Sequence, residues 1–251
     1  EREELHYRLH VVGWSLGGMI AQELSLLLMD RGCPPASLSL VCTHSGGWRL
    51  LPPLSSLPKL VGVALSSSAD ARIRRILPLH YAPEYLASML ECEAEEEPIW
   101  SAGSVLAGVY EERSPFRRSL IHYIPGVVGH LLAALTHHVS GGRLARLGGD
   151  PGAPDCLVVA AGKDKLIPSC HSADLARRIG GTAELLEFTT NGHMVNTERR
   201  DAFNDALGLH FRRSAARRGA PASAQAAFEC RVAGSLARAE CVRRSASELG
   251  G

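Results

Sequence analysis

The sequence predicts an α/β fold, a mainly parallel sheet flanked by helices and interrupted by a helical insertion. Three observations carry this. The chain opens on an apolar strand, a sharp turn, a helix and a second apolar strand, which is a βαβ unit with parallel pairing. The same alternation resumes after residue 154. Between the two, residues 45–154 show helical patterning and no strand period. A chain of 251 residues with 45% hydrophobic and 21% charged residues has the size and composition of a folded domain with an insertion.

Each element follows from its residues. Tyr7 to Gly13 is short and mostly apolar, a strand. Leu16 to Arg31 is apolar almost all round and too long for a strand, so it reads as a buried helix, closed by Gly32 and Pro34-Pro35. Ser37 to Thr43 is a second strand. In the insertion, the apolar helical pieces are Lys59 to Leu65, Val127 to Val139 and Arg143 to Leu147, with an acidic patch at Glu91 to Glu97. Asp155 to Ala161 is a third strand and Gly162 to Pro168 a turn-rich loop. Ser169 to Ile179 is an amphipathic helix with Ser169 as its N-cap. Ala183 to Phe188 is a fourth strand, and Val195 to Phe211 a final helix. Residues 212–251 are rich in Ala, Arg, Ser and Gly and read as a disordered or loosely attached tail. The organisation expected is therefore a core of residues 1–44 and 155–211, a cap of residues 45–154, and the tail.

Composition narrows the function classes. The formal charge is +1, from 27 basic and 26 acidic residues, and aromatics are 5%, which argues against a nucleic-acid binder. The seven cysteines include no C-x-x-C pair and no zinc-finger spacing, so they read as small apolar fillers in a reducing compartment. No metal site and no cofactor are expected. No apolar run reaches the ~20 residues needed to span a bilayer. The stripe Leu120, Ile121, Ile124, Val127, Val128, Leu131, Leu132 reads as cap core, with a lipid-facing cap as the lesser alternative. A cytoplasmic location is the expectation.

The chemistry-bearing motif is Gly13-Trp14-Ser15-Leu16-Gly17, a G-x-S-x-G between an apolar strand and an apolar helix. Glycines on either side leave room for a strained turn, which lifts the Ser15 hydroxyl above the sheet edge. The same turn places the Leu16 N–H at a helix start, where it can stabilise an oxyanion. A serine nucleophile needs a base, and the base needs an orienting group. Asp164 follows the third strand and His193 follows the fourth, so both fall on the strands' carboxyl rim. Taken singly, Asp164 also reads as a turn residue or helix cap, and His193 as a surface loop histidine. Trp14 and His44 lie near the same rim and are candidate pocket residues, although core packing is an equal reading for Trp14.

The segments VVGWSLGGMIAQEL, AGKDKLIP and NGHM, in this order, resemble the α/β-hydrolase superfamily in its soluble serine hydrolase branch. The resemblance covers about Tyr7 to Thr43 and Asp155 to Phe211. It implies that Ser15 is the nucleophile, His193 the general base and then acid, Asp164 its orienting carboxylate, and the insertion the cap over the pocket. It implies hydrolysis of a carboxylic ester, lactone or similar small acyl compound, without a cofactor. The family has further strands before the elbow, and one of their loops gives a second oxyanion donor. The sequence before Tyr7 supplies neither, so a partial fold, N-terminally truncated, is expected, with the elbow strand at an exposed edge. Two alternatives stand beside hydrolysis: acyl transfer on the same residues, and a non-catalytic fragment acting through protein contacts.

Overall fold

A computed structural model describes residues 9–47, 56–66, 68–88, 101–113, 120–218 and 233–249. Five strands form one sheet in the order β1-β2-β3-β4-β5. β1 (His10–Trp14), β2 (Ser37–Val41), β3 (Asp155–Ala161) and β4 (Glu184–Phe188) pair in parallel. β5 (Cys241–Ser245) joins β4 antiparallel, with Phe188 opposite Cys241.

β2 and β3 are buried throughout, and the continuous apolar run Cys156 to Ala161 of β3 is what a strand covered on both faces requires. Alternate side chains feed two cores. Leu38, Leu40, Val158 and Leu185 pack on one face with α1 (Leu16–Asp30) and α8 (Ser169–Ile179). Leu157, Val159, Leu186 and Phe188 pack on the other with α9 (Val195–Glu198) and α10 (Arg200–Arg217).

Between β2 and β3 the described residues form α2 (Leu57–Ala64), α3 (Ala69–His80), α4 (Pro83–Ala87), α5 (Ala102–Arg113), α6 (Leu120–Thr136) and α7 (Gly141–Gly149). The excursion closes on itself. Gly46 bridges His138, Val139 N–H donates to the Ser45 carbonyl at 2.8 Å, and Gly47 N–H donates to the His137 carbonyl at 3.1 Å.

Several expectations need adjustment. α7 lies inside the stretch assigned to the cap, yet Leu144 and Leu147 are fully buried in the sheet's core with Leu175 and Ile179. Their three-residue spacing makes an apolar face, and a Cβ on Gly148 would stand 2.6 Å from the Ile179 carbonyl oxygen, so glycine permits this close approach. Pro168, not Ser169, occupies the N-cap of α8. The last helix is broken at Arg199, whose ψ of 46° lies outside the helical range. The tail reading fails for residues 212–217, which extend α10, and for residues 241–245, which pair with β4. The acidic patch at Glu91 to Glu97 lies outside the described residues. Among the described residues, no helix is long and apolar enough to cross a membrane.

Candidate active site

The site is built where β1, β2, β3 and β4 end. Ser15 sits between β1 and α1 with φ 54° and ψ −121°, a conformation that costs an L residue of order 1–3 kcal/mol. Surrounding bonds hold it there. Ser15 N–H donates to the Val41 carbonyl at 2.8 Å, while its own carbonyl accepts from Thr43 Oγ1 at 2.7 Å and Gly18 N–H at 2.9 Å. A Cβ at Gly13 would lie 2.3 Å from the Gly17 carbonyl oxygen, and one at Gly18 2.5 Å from the Thr43 side chain. A Cβ at Gly17 would meet nothing within 4 Å. The steric demand therefore falls on Gly13 and Gly18, and of the two motif glycines only Gly13 carries it. Leu16 opens α1, so its N–H belongs to the first turn, whose donors have no partner within the helix.

Asp164 and His193 are brought together. Asp164 Oδ2 accepts from His193 Nδ1 at 2.6 Å, and both side chains are almost wholly buried. Asp164 Oδ1 accepts from the Leu166 and Ile167 amides at 2.8 and 2.9 Å, which fixes the carboxylate's plane. The two loops are tied by Lys163 N–H to the Asn191 carbonyl at 2.9 Å. Trp14 joins the elbow to the histidine loop: its Nε1–H donates to the His193 carbonyl at 3.1 Å, and the two rings lie 4.9 Å apart. His44 is buried, its Nδ1 accepting from Gly46 N–H at 2.9 Å and its ring facing His171. Burial, then His171 and His137, push it down to about 4. Among the described residues its hydrogen bonds and ring contacts include none with Ser15, Asp164 or His193.

Three neighbours of the pair were not legible in the sequence. Cys42 follows β2 with φ 45°, and its buried Sγ lies within 4.8 Å of ligand atoms of Asp164 and His193. Burial and that carboxylate raise the thiol well above its usual range. It looked like one more strand filler, and only its place one residue past β2 could have marked it. His80, at the end of α3, has its ring centroid 6.2 Å from that of His193, tilted by 31°, and bonds Tyr110 through Nδ1 at 2.9 Å. Burial, then His193, push it down to about 4, with Asp164 pulling the other way. Glu198, buried in α9, contacts the histidine loop and the insertion.

Cys42, Asp164 and His193 are also a set of metal-ligand types, with ligand atoms within 4.8 Å of one another. The 2.6 Å separation of Nδ1 and Oδ2 is a hydrogen bond. Ligands held at zinc distances would stand about 3.3 Å apart, so the pair would have to open to admit an ion.

A parallel α/β sheet carrying a strained serine turn and a buried histidine–carboxylate pair on one rim is the architecture of the α/β hydrolases. The chain belongs to the alpha/beta hydrolase family, whose sequence model matches residues 2–206. Among solved structures, it is similar to the 2-hydroxy-6-oxo-6-phenylhexa-2,4-dienoate hydrolase of Rhodococcus sp. strain RHA1, with TM-score 0.61 and 21% identity over 82% of this chain and 64% of that one. The meta-cleavage product hydrolase of Pseudomonas fluorescens IP01 matches with TM-score 0.57 and 17% identity, covering 82% of this chain and 65% of that one. A thermophilic esterase from Thermogutta terrifontis gives TM-score 0.57 and 15% identity, again over 82% and 65%. The chain thus spans about two thirds of their length. No curated protein sequence matches it.

Proposed function

We propose that this site performs serine-dependent hydrolysis of a carboxylic ester, lactone or similar small acyl compound. The observation that carries the reading is the buried 2.6 Å bond between His193 and Asp164, on a loop that Trp14 pins beside the strained Ser15. Membership of the family supports the reaction class.

With Nδ1 engaged by Asp164, the His193 nitrogen left for proton transfer is Nε2. It takes the Ser15 hydroxyl proton as Oγ attacks the substrate carbonyl. The oxyanion that forms is stabilised by the Leu16 N–H and the positive end of α1. His193 then gives the proton to the departing alcohol. A water, deprotonated by the same nitrogen, attacks the acyl carbon, and the proton passes to Ser15 Oγ as the acid leaves. Asp164 holds the imidazole in place and stabilises its protonated form. An apolar substrate is part of this reading, since an apolar cluster including Ile73, Leu77, Tyr81 and Met194 joins the insertion to the histidine loop.

The test is a fluorophosphonate probe with mass-spectrometric mapping. Labelling at Ser15 that disappears in Ser15→Ala is the expected result. Folded protein that takes no label overturns the reading. Product analysis with an alcohol acceptor separates hydrolysis from acyl transfer.

A further inference from the structure

Glu198 is a buried carboxylate whose described partners are neutral donors. Oε1 accepts from Ala82 N–H at 2.8 Å and from Gly192 N–H at 3.1 Å. Oε2 accepts from Asn191 Nδ2 at 2.8 Å and from Gly192 N–H at 3.2 Å. Asn191 and Gly192 immediately precede His193, whereas Ala82 lies 116 residues before Glu198, between α3 and α4 of the insertion. A second stitch runs alongside: Met194 N–H donates to the His80 carbonyl at 2.9 Å. The fit is tight. A Cβ on Gly192 would stand 2.8 Å from Ala82 N, 2.9 Å from Glu198 Oε1 and 2.9 Å from the His80 oxygen.

We infer that Glu198 is a positioning residue for His193, and that it does this by locking the histidine loop to the insertion at Ala82. The inference rests on the proposed role of His193. Both carboxylate oxygens accept, and every partner donates. Glutamine has nearly the same shape but must present an N–H₂ to one of those donors, so one side of the lock fails. Because one partner, Ala82 N–H, belongs to the insertion, any shift of that segment is carried by its bond to the backbone next to the imidazole. His193 has little freedom to absorb it, since its carbonyl is held by Trp14 and its Nδ1 by Asp164.

The donor side can be tested separately. Ala82 has φ −65° and ψ 142°, and Tyr81 before it has φ −119° and ψ 150°. Both suit a proline at position 82, so Ala82→Pro keeps the local backbone angles while it removes the N–H and puts the ring Cδ against Oε1, which breaks the bond.

The experiment compares the full chain with Glu198→Gln, Ala82→Pro and the double variant. Turnover is normalised to the fraction of Ser15 that the fluorophosphonate titrates, so that loss of folded protein cancels. Glu198→Gln is expected to lower kcat per titrated serine about tenfold or more with KM within about twofold, since misplacing a catalytic group costs rate before it costs binding. Ala82→Pro should act in the same direction, and the double variant should be no worse than Glu198→Gln alone. Unchanged turnover per titrated serine in Glu198→Gln, or multiplicative losses in the double variant, overturns the inference. The imidazole proton shared by His193 and Asp164 gives a readout independent of turnover. Its NMR resonance should move or vanish in both single variants, and a resonance unchanged in both overturns the inference. If wild-type protein takes no label, the hydrolase reading fails, and this resonance alone decides the role of Glu198.

Discussion

At Asp164 a single atom exchange separates geometry from chemistry. Asp164→Asn keeps the shape and the acceptor for the Leu166 and Ile167 amides, but turns an N–H₂ toward His193 Nδ1. The imidazole would then expose the wrong tautomer, and kcat should fall by about 10²–10⁴ in a steady-state assay, with a far smaller change in stability. Gly17 and Gly18 make a second comparison. Gly18→Ala drives a methyl into Thr43 and should lower stability by about 1–3 kcal/mol in urea unfolding. Gly17→Ala meets open space inside a helix and should be neutral or stabilising by up to about 1 kcal/mol. Three histidines set a pH window. His44, His80 and His210 are each pushed down to about 4, chiefly by burial. Below the ordinary histidine value of 6.5 the unfolded chain binds protons that the folded chain refuses. Stability therefore falls as pH drops from about 6.5 toward 4, by on the order of 2 kcal/mol per group. Urea midpoints between pH 7 and pH 4.5 check this, and a midpoint that held or rose would contradict it.

The strands and the rim were legible because burial on both faces leaves continuous apolar runs, as in Asp155 to Ala161. The core they form is a matter of elements, and Phe188→Ala on β4 should cost about 3–5 kcal/mol of unfolding free energy. Other elements escaped the sequence for physical reasons. β5 reads Cys-Val-Arg-Arg-Ser, and its half-exposed place at the sheet edge leaves no hydrophobic period to find. α3 alternates Arg with apolar residues, and its buried Ile73, Leu77 and Leu79 match a helix face only once its partners are known. In the candidate site, Ser15, Asp164 and His193 could be found because each sits at a fixed offset from a strand end. Cys42 offered only its place one residue past β2, and His80 and Glu198 offered no such mark, because what defines them is a contact with a distant part of the chain.

At the scale of the molecule, β1 is an edge strand among the described residues, and the helix beside it keeps an apolar outer stripe. Ile20 is 60% exposed and Leu27 46%. An exposed apolar stripe of this kind favours association. Ile20→Glu with Leu27→Lys should reduce concentration-dependent light scattering while leaving the unfolding midpoint nearly unchanged. A different consequence comes from the clasp at Gly46 and His138. The chain leaves the sheet and returns to it at the same spot, so the excursion hangs from the scaffold like a pendant. Its sequence can drift or be exchanged for another without disturbing the register of β2 on β3. New selectivities could then be sampled on an unchanged catalytic rim, provided that the replacement still offers the histidine loop a hydrogen-bond donor where Ala82 now stands.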